Sequence, residues 1–112
     1  MSAPLALLVE DDADARLVLA SALRRDGIDC VEAATVAEGV AAIEARSFDI
    51  AILDVVLGDD ENGGLVVLAA LRKAPSSAPV ILITAFADVD KLKRALNLGA
   101  SFLLDKPFRA HE

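Results

Sequence analysis

The sequence predicts an α/β fold in which helices cover both faces of an open parallel sheet. Five short apolar runs are separated by amphipathic stretches of helical length, a pattern typical of strands that alternate with helices. The runs are almost continuously apolar, as expected of parallel strands buried on both faces. A length of 112 residues suits one domain, residues 1–112, with a single core.

The five predicted strands fit a sheet of order 2-1-3-4-5 with right-handed crossovers. They are Leu5–Val9, Ile28–Val31, Ile50–Leu53, Val80–Ile83 and Phe102–Leu104. Too few residues follow Phe108 for a full closing helix, so we expect that helix to be truncated or absent. Either the chain is trimmed there, or it continues in a longer regulator or hybrid kinase.

Helix signals lie between the strands. The segment Thr35–Glu38 has the pattern of a capping box, and Gly27 and Gly99 stand where helices should end. Two later stretches carry inward apolar stripes with helical spacing. These stripes are Leu65, Leu68 and Leu71 in the third helix and Val89, Leu92 and Leu96 in the fourth.

Composition excludes several classes of function. The net charge of −7, with no Trp or Tyr, opposes direct binding of nucleic acid or of an anionic membrane surface. No apolar run is long enough to span a bilayer and no signal-peptide pattern opens the chain, so we expect a cytoplasmic protein. Cys30 is the only cysteine and is predicted to be a buried structural thiol.

Charged and polar residues follow four of the predicted strands. Parallel strands share one carboxyl edge, where ligands of such sheets bind. The strand ends should therefore bring together Glu10 and Asp11, Asp54, Thr84 and Lys106. Asp12 and Asp14 are better explained as acids favoured by the dipole of the first helix, and the loop Gly58–Asn62 as solvated.

The charges of this group indicate its chemistry. At ~4 Å and an effective dielectric of 20, each pair among Glu10, Asp11 and Asp54 repels by roughly 4 kcal/mol. Lys106 offsets one charge and leaves a formal −2, which a divalent cation would cancel. Oxygen ligands without His or Cys favour Mg²⁺. Asp54 could then accept a phosphoryl group, with Lys106 and the Thr84 hydroxyl holding its oxygens.

Four segments together resemble the receiver domain of the two-component response regulators. They are "LLVEDD", "DIAILDVVL", "VILITA" and "GASFLLDKPF", which occur in the family's order and cover nearly the whole chain. The resemblance implies a flavodoxin-like (CheY-like) fold. It also implies a phosphoacceptor in a histidine–aspartate phosphorelay rather than an enzyme, served by a sensor histidine kinase or phosphotransfer protein.

The resemblance also implies a role for each site residue. Asp54 would be the phosphoacceptor, and Asp11, Asp54 and the backbone carbonyl of Val56 would bind Mg²⁺, with Glu10 acting mostly through water. Lys106 would contact the phosphoryl group and Thr84 would transmit the signal. Residues outside the site have implied roles too: Pro107 would follow a cis peptide, and Val56 and Phe86 would tune the phosphoryl lifetime.

Two departures from the family pattern matter. Gly58 stands where a proline is usual, and the glycine pair of that loop comes one or two residues late. Leu103 occupies the place of an aromatic residue that usually works with the Thr switch, with Phe102 beside it. Because neighbouring strand residues face opposite sides, Phe102 replaces that ring only through a register slip.

Three other functions fit the sequence less well. An aspartyl-phosphate hydrolase would need a second acid at Val56, and a flavin-binding module would need a phosphate loop where the first strand ends in acids. A degenerate receiver used only for binding conflicts with the intact set of acids, Thr and Lys. The sequence leaves open the output, the phosphoryl lifetime and whether the domain forms a homodimer.

Overall fold

The fold is known from a computed structural model that describes residues 3–74, 76–84, 93 and 97–105, with the backbone alone for residues 84 and 102–105. The elements are β1 (Leu5–Val9), α1 (Ala13–Arg25), β2 (Asp29–Ala33), α2 (Val36–Ala45), β3 (Ile50–Asp54), α3 (Gly63–Lys73), β4 (Val80–Thr84) and β5 (Phe102–Asp105). Each strand begins within one residue of its predicted start. The apolar stripe predicted for the fourth helix, Val89, Leu92 and Leu96, lies outside the described residues.

All neighbouring strands pair in parallel, in the order β2-β1-β3-β4-β5. This confirms the predicted order for β2, β1, β3 and β4, and the backbone of β5 pairs beside β4. In the central pair Val9 lies opposite Leu53, so β1 and β3 end at the same edge of the sheet. The residues that follow these two strands are therefore brought close together.

The core occupies both faces of the sheet, because successive strand residues point to opposite sides. The larger cluster packs β1, β3 and β4 against α2 and α3, and the smaller one packs Leu8, Ile52 and Ile83 against Ala20 of α1. The predicted stripe of α3, Leu65, Leu68 and Leu71, is buried as expected. No helix in the described ranges combines the length and the apolar character needed to cross a membrane.

The helix ends largely follow the predicted capping chemistry. Thr35 is the N-cap of α2, and its hydroxyl oxygen accepts the Glu38 backbone N–H at 3.1 Å. In a capping box the Glu38 carboxylate would accept from the backbone N–H of Thr35; here it accepts from the Thr35 hydroxyl. Asp12 is the N-cap of α1, accepting the N–H groups of Asp14 and Ala15 at 2.9 and 3.2 Å. Gly27 follows α1 with φ +83°, a conformation that favours glycine. Asp12 therefore works as a helix cap.

Arg72, near the end of α3, ties three backbone carbonyl groups together. Its Nε donates to Leu98 at 3.0 Å, and its two terminal nitrogens donate to Ala78 and Gly99 at 2.9 Å each. The planar guanidinium presents several donors in a fixed geometry, which a lysine ammonium does not. This side chain thereby connects α3 with the segments that precede β4 and β5.

Cys30 is only partly buried, so the prediction of a buried thiol is wrong in degree. It lies on β2, which is an edge strand and is covered on fewer sides than the central strands. Desolvation raises the pKa of the Cys30 thiol above its ordinary value, and the charges of Glu32 and Asp29 add to this, whereas Arg24 acts in the opposite direction. A neutral thiol is thus favoured.

Candidate functional site

Three carboxylates meet at the carboxyl edge of the sheet. Glu10 and Asp11 directly follow β1, and Asp54 is the last residue of β3. One carboxylate oxygen from each of the three lies within 4.8 Å of the others. The structure thus brings together the acidic residues that the sequence places at neighbouring strand ends.

The three carboxylates differ sharply in exposure. Glu10 is 0% and Asp54 3% exposed, whereas Asp11 is exposed to solvent. Buried acids are uncommon unless other groups stabilise their charge. The cluster therefore has two side chains fixed by the protein interior and a third at its open side.

The backbone of Glu10 is held by two neighbouring elements. Its N–H donates to the carbonyl of Ala33 at 3.0 Å, which extends the pairing of β1 with β2. Its carbonyl accepts a hydrogen bond of 2.8 Å from the guanidinium of Arg16 on α1, which also pairs with Glu32 at 3.4 Å. Sequence reasoning missed Arg16; its position in the first turns of α1, after the acidic pair, is the signal that could have found it.

The backbone around Asp54 is equally constrained. The Val56 N–H donates to Asp54 Oδ1 at 3.3 Å, and the Val55 N–H donates to the carbonyl of Ile83 at 2.9 Å. The Val55 carbonyl accepts from the Gly64 N–H at 2.9 Å. These bonds fix the point where β3 ends and the next loop begins.

Asp11 is held from the other side of the site. Its Oδ2 accepts a hydrogen bond of 3.0 Å from the backbone N–H of Gly58, in the loop between β3 and α3. In the sequence, Gly58 stands out only as a departure from the proline that is usual there. Because a proline has no N–H to donate, the glycine at this position was the signal that could have revealed the hydrogen bond.

The donor set fits a hard divalent cation. Three carboxylates within 4.8 Å repel one another by roughly 3 kcal/mol per pair at an effective dielectric of 20. All are oxygen ligands, the type preferred by Mg²⁺ and Ca²⁺. The arrangement can therefore hold a small cation at the exposed side of the cluster.

Other predicted site residues are only partly visible. Val56 is 38% exposed beside the cluster. The backbone of Thr84 ends β4 opposite Asp105, but its side chain lies outside the described part, as do Phe86, Lys106 and Pro107. Within β5, the backbone pairs Phe102 with Ile81 and Leu103 with Leu82, and the side chains of both β5 residues lie outside the described part.

Curated relatives include transcriptional regulators from bacteria. The transcriptional regulatory protein PmrA of Pectobacterium parmentieri is 38% identical over 106 residues, which are 95% of this chain and 47% of that protein. The KDP operon transcriptional regulatory protein KdpE of Escherichia coli is 36% identical over 91% of this chain and 44% of its own length. The chain thus spans about half the length of these relatives.

Solved structures show the same architecture. A CheY-like response regulator receiver domain protein from Methanospirillum hungatei superposes with a TM-score of 0.90 and 30% identity, over 98% of this chain and 86% of that one. A response regulator from Burkholderia pseudomallei, with a phosphorylated aspartic acid, calcium ion and citrate, gives 0.86 and 26%, over 96% and 62%. The fold is therefore flavodoxin-like.

The match to a protein-family model covers the residues of the site. The model of the response regulator receiver domain matches residues 6–112, a range that contains the whole acidic cluster. The match begins in β1 and runs through the sheet. The chain belongs to the family of response regulator receiver domains.

Proposed function

We propose that Asp54 is the phosphoacceptor of this receiver domain and that Mg²⁺ assists the transfer. The observation that carries the proposal is the approach of Glu10, Asp11 and Asp54 within 4.8 Å at the end of β3. Without a cation, the repulsion among the three carboxylates lowers the stability of the fold. A bound cation would offset this repulsion.

The proposed reaction moves one phosphoryl group. An oxygen of the Asp54 carboxylate attacks the phosphorus of a phosphohistidine on a partner protein; a P–O bond forms and the P–N bond breaks. The electron pair of the broken bond stays on the histidine nitrogen, which takes up a proton. The partner is a sensor histidine kinase or a phosphotransfer protein, and this chain receives the group without turning over a substrate as an enzyme does.

Asp11, Asp54 and the carbonyl of Val56 would hold the metal, with Glu10 acting through water. The relative from Burkholderia pseudomallei, with its phosphorylated aspartic acid and calcium ion, supports pairing a cation with such a site. When bound, Mg²⁺ supplies positive charge that lets an anionic phosphodonor approach Asp54. The protein's own contribution is to keep the carboxylates together and to hold Asp54 in place by burial.

Thr84 and Lys106 complete the proposed switch. Thr84 is the last residue of β4, which is paired with β3, so a hydroxyl there belongs to the strand beside the phosphoacceptor. The resemblance supports Lys106 as the cation that contacts the phosphoryl oxygens. We also propose that Leu103 transmits less of the signal than an aromatic ring would, so the response concentrates in the loop after Thr84.

The acidic charge supports a protein partner over nucleic acid for this segment. A cytoplasmic location stays a prediction, and the formation of a homodimer stays an open question. The relatives named as transcriptional regulators are about twice as long as this chain. Transcription is therefore a role of those proteins, and we propose only that this domain acts on an output domain or a downstream protein.

Intact-mass measurement with a small acyl phosphate tests the proposal. Incubation with acetyl phosphate and Mg²⁺ should add one phosphoryl group, and omission of Mg²⁺ or the substitution Asp54→Asn should abolish the addition. Asp60→Asn, which alters an exposed acid of the next loop, is the matched control and should still be labelled. Labelling that persists in Asp54→Asn would refute the assignment.

A further inference from the structure

The loop between β3 and α3 contains a tight turn whose first central residue donates to the acidic cluster. Leu57 and Asp60 exchange two backbone hydrogen bonds of 2.9 and 3.0 Å across this turn. Gly58 has φ +61°, whereas Asp59 does not have a positive φ, the combination of a type II′ turn. The Gly58 N–H donates outside this turn, to Oδ2 of Asp11, which is 47 residues away in the sequence.

Position 58 needs glycine for its backbone conformation, not because a larger side chain would collide with a neighbour. An added Cβ there would have no heavy atom within 4 Å, so no neighbour excludes a side chain. The positive φ favours glycine, and the hydrogen bond requires an N–H. Proline can supply neither, because its ring fixes φ near −65° and removes the donor.

The turn itself is anchored to the core. The Leu57 side chain is buried in the larger hydrophobic cluster. Gly63, at the start of α3, packs against Leu57 so closely that an added Cβ would lie 2.8 Å from Leu57 Cβ. The donor is therefore carried by a segment that is fixed at Leu57, next to Gly58, instead of by a free loop.

Asp11 is the member of the cluster that needs such a donor most. Burial restricts Glu10 and Asp54, whereas Asp11 is exposed and could adopt other rotamers. A carboxylate has two oxygens with several acceptor positions, so the bond from Gly58 to Oδ2 leaves Oδ1 for another ligand. The N–H also places a positive dipole beside a crowded negative charge.

We propose that the Gly58 amide is a positioning donor that orients Asp11 for a divalent cation. The inference rests on the proposed function, in which Asp11 is a metal ligand. Partners that orient metal ligands typically contribute about 10- to 100-fold in metal affinity. By linkage, a cation that binds the oriented form of Asp11 also stabilises the turn, so metal binding and the order of this loop are coupled.

The test removes the donor. Replacing the Gly58 N–H by an ester oxygen, in a chemically synthesised chain, keeps the freedom of φ and deletes the hydrogen bond to Asp11. The ester also makes the Leu57 carbonyl a weaker acceptor for the Asp60 N–H, an effect that thermal unfolding registers. The same replacement at Asp59 is the matched control, since its N–H donates no hydrogen bond within the described ranges. Gly58→Asn is a second control, because asparagine keeps the N–H and tolerates a positive φ.

The readout is the affinity for Mg²⁺ alone, measured on the unphosphorylated chain by calorimetry, with thermal unfolding to verify folding. We expect the dissociation constant to rise about tenfold for the ester at 58 and to change less than about twofold for the ester at 59 and for Gly58→Asn. A merely structural role of the hydrogen bond would lower the melting temperature and leave the affinity unchanged.

Three results would count against this role. Equal affinity of the unmodified chain and the ester at 58 overturns the inference and leaves the proposed function standing. Tighter binding by that ester would mean that the amide competes with the cation. If the unmodified chain itself shows no binding at millimolar Mg²⁺, both the metal site and the role of Gly58 are wrong.

Discussion

Gly64, in the first turn of α3, packs directly against the backbone of Asp54. A Cβ built on Gly64 would lie 2.7 Å from the carbonyl carbon of Asp54 and 2.8 Å from Cα of Val55. Real Cβ atoms essentially never approach backbone atoms so closely. The absence of a side chain at position 64 is therefore a condition for the place that Asp54 occupies.

We predict that Gly64→Ala displaces the end of β3. Overpacking a close contact of this kind costs about 1 to 3 kcal/mol of unfolding free energy. Phosphorylation by acetyl phosphate should slow as well, because the carboxylate of Asp54 moves relative to its neighbours. Denaturant unfolding and the rate of labelling by intact mass would measure the two effects.

Gly39→Ala is the matched control for this substitution. Gly39 is also a buried glycine in a helix, but its added Cβ would meet only side-chain atoms of Val9 and Val67, at 3.2 Å or more. The gain in helix propensity of about 1 kcal/mol offsets this mild crowding. Labelling that is equally slow in both variants would show that the contact with Asp54 is not the cause.

Removing one charge from the cluster should stabilise the metal-free protein. In Asp11→Asn the amide oxygen still accepts from Gly58, while one of the three negative charges is lost. Solvent screens much of the repulsion at the exposed Asp11, so we expect a gain of about 1 kcal/mol, or a rise of roughly 4 °C in melting temperature. The stabilisation by Mg²⁺, about 2.7 kcal/mol at 100 times the dissociation constant for the unmodified chain, should disappear.

Thermal unfolding with and without Mg²⁺ measures both effects. Asp14→Asn, which removes an exposed acid of the first turn of α1, should leave the response to Mg²⁺ intact. If Asp11→Asn melts several degrees below the unmodified chain in the absence of metal, the negative charge of Asp11 stabilises the fold and the repulsion argument fails.

Arg72→Met should destabilise the fold through its lost hydrogen bonds. Three backbone carbonyl groups, those of Ala78, Leu98 and Gly99, would lose a charged donor. We expect a loss of about 2 kcal/mol in denaturant unfolding. Lys73→Met controls for the loss of a positive charge near the end of α3 and should change stability by less than about 0.5 kcal/mol. Equal losses in the two variants would assign the effect to charge alone.

The sequence could predict the acidic cluster because strand ends are a local property. Apolar runs that stop at Glu10 and at Asp54 define where β1 and β3 end, and parallel pairing then places both acids at one edge. The capping by Thr35 and the buried stripe of α3 follow in the same way from short-range patterns.

Contacts that depend on the path of loops could not be predicted. The bond from Gly58 to Asp11 joins residues 47 apart, and those from Arg72 to Leu98 and Gly99 join residues 26 and 27 apart. Periodicity carries no information about such pairs. The incomplete burial of Cys30, by contrast, follows from the edge position of β2 in the predicted strand order, so it was open to prediction.

Chemical mapping of the phosphoryl group tests the central claim most directly. Borohydride reduces an aspartyl phosphate to homoserine, which fragmentation mass spectrometry locates in the chain. After treatment with acetyl phosphate and Mg²⁺, we predict homoserine at position 54 and unmodified aspartate at positions 11 and 60. Homoserine at position 11 or 60, with position 54 unmodified, would contradict the account.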